Sequence, residues 1–116
     1  MPITIIEEKI NKSKLLEIAK QQFGDMVKAV VDIERAIMII GAELHADEEA
    51  LLLKQGSKQK DLWGINIYPD KIGEELIEFD SMINLRPSQG NRSRDVKDPI
   101  IREKIIKIVN QLIQES

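Results

Sequence analysis

Two stretches of alternating apolar and polar residues, LWGINIYP at 62–69 and ELIEFDSMINLRP at 75–87, constrain this chain more than any other feature. A period of two marks a β-strand whose two faces meet different surroundings. Only residues 69–75 separate the paired runs, so they read as a hairpin. Setting Tyr68 opposite Leu76 places Trp63, Ile65 and Ile67 across from Ser81, Phe79 and Ile77 on one apolar face. The other face then carries Gly64, Asn66 and Tyr68 beside Glu78, Asp80, Met82, Asn84 and Arg86. A slip of one residue would exchange the faces, so the pattern itself specifies the register.

The remaining elements follow from local signals. Residues 4–10 open β-branched and apolar, which predicts a first strand. Ser13 reads as a helix N-cap, Leu15, Leu16, Ile18 and Ala19 as the helix stripe, and Gly24 as its stop. Residues 26–44 fit two templates. Met26, Val30, Ile33, Ile37 and Ile40 form a helical seam, but the density of Val and Ile suits a pleated sheet better. The expected element is a β-hairpin turning around residues 32–36, wider than two residues because Glu34 and Arg35 lack the Asn or Gly of a tight turn. Asp98 followed by Pro99 starts a terminal helix, with apolar residues at 101, 105, 108, 109 and 112. The sum is an α+β fold: one small domain over residues 1–116, an antiparallel sheet with about three helices packed mainly on one face.

Composition narrows the classes. A chain of 116 residues, 42% hydrophobic, suits a single core. Aromatics make up only 3%, so Ile, Leu and Val must fill the interior. The frequent Ile, with abundant Lys and Glu, is compatible with a thermophilic source. The absence of cysteine rules out disulfides and thiolate metal sites. MPITIIEEKI is not a signal peptide, and no apolar run reaches membrane length, so a soluble cytoplasmic protein is expected. A net charge of -3 gives no overall attraction to nucleic acid or anionic lipid. No pattern calls for a cofactor.

The only histidine, His45, sits in GAELHADEEALLL at 41–53. Asp47 reads as the N-cap of the apolar run that follows, with Glu48 and Glu49 in the first turn, where carboxylates offset the helix dipole. That reading explains all three acids without chemistry. It leaves His45 just outside the helix, at a strand end. Zinc would need nitrogen or sulfur ligands this chain lacks, and HADEE has neither the ligand spacing nor the glycine of a calcium loop. Metal binding is therefore not expected. His45 keeps a role as general base, since its ordinary pKa lies near neutrality.

The polar hairpin face has a plain reading as the solvated side of a sheet. Its sharper reading is a shallow depression over Gly64, ringed by Asn66, Asp80, Asn84 and Arg86, because Asn is unfavourable on a solvated strand without a function. The loop RPSQGNRSRDVKDP adds a concentration of basic residues. There the amides around Gly90, with Asn91 and Arg92, would cradle an anion that an arginine clamps. The loop matches no P-loop fingerprint, and its plain reading is a solvated connection whose cations pair with Asp95 and Asp98. Two functions fit. The favoured one is a binding or regulatory module that recognises a small anionic ligand or a protein partner through this face and loop. The alternative is a small hydrolase-like enzyme with His45 and Asp80 as acid and base, which requires the two to converge in one pocket.

The strings GAELHAD, EALLL, GSKQKDLWGINIYP and SMINLRPSQGNRSR together resemble an uncharacterised bacterial and archaeal family, domain of unknown function 5674. The likeness covers nearly everything beyond Gly24. It implies a single small domain and assigns no catalytic residue.

Overall fold

The computed structural model describes residues 3–115. The elements run β1 (Thr4–Ile6), β2 (Ile10–Asn11), α1 (Lys12–Gln21), β3 (Val27–Asp32), β4 (Ile37–Ile40), α2 (His45–Lys54), β5 (Leu62–Ile67), β6 (Ile77–Glu78), α3 (Pro99–Leu112) and β7 (Ile113–Gln114). Four short 3-10 turns lie among them, at Gln59–Asp61, Gly73–Glu75, Met82–Asn84 and Pro87–Gln89. An antiparallel five-stranded sheet has the order β1-β4-β3-β5-β6, and β2 pairs with β7 in parallel.

Residues 26–44 form the expected hairpin. Asp32 makes its wide turn: the carboxylate accepts hydrogen bonds from the backbone N–H of Glu34 and Arg35, each 3.0 Å. The positive φ that a tight turn would demand falls on Ala36, at 56°. The second hairpin has the register its alternation specifies, with Ile67 opposite Ile77 and the Tyr68 N–H donating to the Leu76 carbonyl at 2.8 Å.

Alternation along the strands sorts their side chains onto two buried faces. Val27, Ala29, Val31, Met38, Ile40, Trp63, Ile65 and Ile67 meet α1 and α3 in the larger core. Val30, Ile37, Ile39 and Leu62 meet Leu52 of α2 on the opposite side. Two of the three helices thus share one face, and α2 covers part of the other. No helix among the described residues is long and apolar enough to cross a membrane.

Three local expectations need correction. Residues 4–10 are not one strand; β1 ends at Ile6 and pairing resumes at Ile10. Ser13 is not a cap, because α1 begins at Lys12 with Asn11 in the cap position. Asp47 is not a cap either: α2 begins at His45, with Leu44 at the cap and Asp47 in the first turn. The apolar run starting at Ala50 marks neither the start of the helix nor its buried face, which is His45, Glu48 and Leu52. Asp98 does cap α3, its carboxylate accepting from the Ile100 N–H at 2.8 Å. Asp98→Ala should lower stability by about 0.5–2 kcal/mol, while Asp47→Ala should cost clearly less. Urea denaturation of the two variants beside wild type checks the order.

Candidate functional site

The alternating run 75–87 stops being a strand after Glu78. Ser81 turns in towards β5 instead of continuing along the Trp63 face, and its N–H donates to the Arg94 carbonyl at 3.1 Å. A Cβ on Gly64 would meet the Ser81 side chain at 2.6 Å. Gly64 is therefore a close-approach position, not the floor of a depression.

Where the strand is missing, asparagine replaces it. Asn84 is fully buried. Its side-chain oxygen accepts from the Gly64 N–H at 2.8 Å, and its Nδ2 donates back to the Gly64 carbonyl at 2.9 Å. A side-chain amide has the donor and acceptor of a peptide group, so it can stand in for a strand neighbour. Asn91 organises the loop in the same way. Its Nδ2 donates to the carbonyls of Asn84 (2.7 Å), Ser93 (3.1 Å) and Asp95 (2.7 Å), and its oxygen accepts from the Lys97 N–H at 2.9 Å.

Arg86 is buried beside them. Its guanidinium donates to the carbonyls of Ile83 (2.9 Å), Gln59 (2.7 Å) and Leu62, lies 3.8 Å from the Glu49 carboxylate, and stacks 4.5 Å from the Trp63 ring centre. Other cations near the loop are also engaged. Arg94 donates to Asp80 at 2.6 Å, Arg102 to Asp95 at 2.8 Å, and Lys97 lies 3.7 Å from Asp95. Arg92 is exposed. Thus Asn84, Arg86 and Asn91 form one internal network that carries backbone across the sheet, and Arg92 stands apart from it.

His45 lies at the first turn of α2, 8% exposed, with Nε2 at 2.7 Å from the Ile65 carbonyl. A carbonyl only accepts, so Nε2 carries the proton and Nδ1 the lone pair. Burial pushes the ring pKa below its ordinary value, and the Ile65 bond opposes this. The neutral form is favoured. Asp80 adds a weaker upward push but spends its carboxylate on Arg94. The two proposed acid–base partners make no hydrogen bond to each other. One turn further on, Glu48 is fully buried, with one oxygen accepting from the Ala42 N–H at 3.2 Å. Burial pushes its pKa up to about 9, so the carboxyl is neutral. Asn66 donates to Glu78 at 2.8 Å and more weakly to the Asp80 carbonyl at 3.4 Å. Among the described residues no group of His, Asp and Glu is arranged to hold a metal ion.

A further concave surface lies elsewhere. A groove of about 560 Å3 runs between β6 and α3, lined by Gly73, Glu74, Ile77, Phe79, Arg102, Ile106 and Asn110. Phe79 is half-buried against the larger core, with the Arg102 guanidinium 4.1 Å over its ring centre. Ile106 is 40% exposed, and Ile72 on the adjoining loop is 76% exposed. Local sequence patterns miss this groove, and their one signal is that Ile106 and Ile100 stand off the buried stripe of α3. The family described as Protein of unknown function (DUF5674) matches the chain over residues 4–112. No curated protein and no solved structure matches it.

Proposed function

We propose, from the premise that the chain belongs to the DUF5674 family, that it is a binding module whose partner is another protein, engaged along the groove between β6 and α3. The observation that carries this reading is an apolar floor of Ile77, Phe79 and Ile106 in an open groove. Concave apolar surface with a polar rim is what protein partners bury. An acid–base enzyme has less support, because His45 and Asp80 are each tied to a different group. A small-anion site has less support as well, because buried Arg86 spends its donors on backbone carbonyls and Arg94 is paired with Asp80.

Selection from a displayed library of random peptides tests the reading and needs no identified partner. Peptides enriched on the wild-type chain should lose binding to Ile106→Asp. Circular dichroism would establish that the variant is folded, as expected for a position this exposed. No enrichment, or enriched peptides indifferent to Ile106→Asp, would remove the groove from consideration.

A further inference from the structure

The wall of the groove is the outer edge of a sheet, and that determines how a partner docks. β6 ends the strand order, and among the described residues no strand pairs on its far side. The Tyr68 N–H to Leu76 carbonyl bond makes 68 and 76 a hydrogen-bonded pair. Ile67 and Ile77 are therefore the alternate, non-bonded pair. In an antiparallel ladder the N–H and C=O of a non-bonded pair point away from each other. The Ile77 backbone groups thus face outward at the groove. An edge strand facing a helix across an apolar trough is the geometry of strand addition, in which main-chain bonds supply affinity and alternate side chains supply selectivity.

Charge sets the second half of the pattern. Residues 70–80 carry Asp70, Glu74, Glu75, Glu78 and Asp80 against Lys71 alone. Glu74, Glu75 and Glu78 are exposed and border a shallow hollow with Tyr68 and Lys71, and Glu74 also lines the rim of the groove itself. The groove's own cation, Arg102, is paired with Asp95 at 2.8 Å. Because side chains alternate across a strand, an added strand sends one set towards Ile77, Phe79 and Ile106 and the other towards the glutamates.

We propose that the groove binds an extended segment of a partner protein that adds to the edge of β6, with apolar side chains towards α3 alternating with basic side chains towards Glu74, Glu75 and Glu78. This rests on the protein-binding reading above and names its partner's chemistry. A second copy of this chain is a poor occupant, because it would bring the same glutamates against themselves.

The test titrates the isotope-labelled full chain with a short peptide of alternating lysine and valine, read by NMR. Two control peptides accompany it: one alternating glutamate and valine, and one with lysine and valine in blocks. The lysine–valine peptide should shift the Ile77 and Phe79 amides and the Ile106 methyl groups. Its affinity should fall with added salt and drop roughly tenfold in the Glu74→Lys, Glu75→Lys double variant. Both glutamates are exposed, so the fold is retained. Equal binding of the glutamate peptide overturns the charge assignment, and equal binding of the block peptide overturns strand addition. Either result leaves the groove as a protein site if library-selected peptides still depend on Ile106. A dimer in sedimentation that Ile106→Asp dissociates would assign the groove to a second copy and overturn the proposal. When no peptide from either source depends on Ile106, both readings fall together.

Discussion

Arg86→Ala should lower stability by about 3–5 kcal/mol, the cost of removing one member of a buried charged network. The carbonyls of Gln59, Leu62 and Ile83 would lose their shared donor. Glu49, 3.8 Å away, would be left without its cation, and the Trp63 ring without its cover. Arg86→Lys should recover little, because one ammonium cannot reach carbonyls spread around a planar fork. Arg92→Ala, at an exposed position, should stay within about 0.5 kcal/mol of wild type. Against a total of about 5–15 kcal/mol for a domain, the Arg86 loss is visible in any denaturant titration. If Arg86→Ala kept its stability but lost a stabilising effect of phosphate, the arginine would be an anion clamp instead.

The second large effect is a dependence on pH through Glu48. Its folded-state pKa of about 9 lies above the ordinary value of 4.5. A raised pKa means that the folded state holds the proton. The stabilising contribution is whole below 4.5 and diminishes as pH rises towards 9. Within that window each pH unit costs about 1.4 kcal/mol for one proton. His45 works in the opposite sense: its lowered pKa makes it lose stability as pH falls below 6.5. Between pH 7 and 9 Glu48 therefore acts without that opposition. Glu48→Gln keeps a neutral side chain of the same shape, and its advantage over wild type should grow by about 1.4 kcal/mol per pH unit across this range. Parallel urea midpoints for the two proteins from pH 7 to 9 would mean that Glu48 is ionised in the folded state.

The sheet was legible in the sequence because strand period is a property of neighbouring residues. Tyr68 opposite Leu76 follows from alternation alone, and Asp98 before Pro99 announces its helix through chemistry confined to three residues. Residues 79–97 were not legible, for a physical reason. A polar side chain at an alternating position has the same sequence signature whether it bonds water or buried backbone. Asn66, Asn84 and Arg86 looked like one exposed face, and Asn91 like part of an anion-cradling loop. Asn84 and Arg86 instead do the work of a missing strand, and only the position of Ser81 over Gly64 reveals it. His45 and Glu48 were misjudged similarly: read as a residue just outside a capped helix and a first-turn carboxylate offsetting its dipole, they are its buried face. The groove depends on a strand edge meeting a helix from a distant part of the chain, which no local pattern encodes.

Every strand of the five-stranded sheet precedes α3 in the chain. On a ribosome the hairpins emerge first, while Ile105, Ile108, Val109 and Leu112, which close the larger core, are still to follow. At roughly 5–20 residues per second the helix follows on the order of a second later. During that interval the nascent chain presents Trp63, Ile65 and Met38 on a sheet face that α1 alone shelters. The edge of β6, which the finished protein borders with a helix, is then open along its whole length to whatever chaperone or neighbouring chain arrives first.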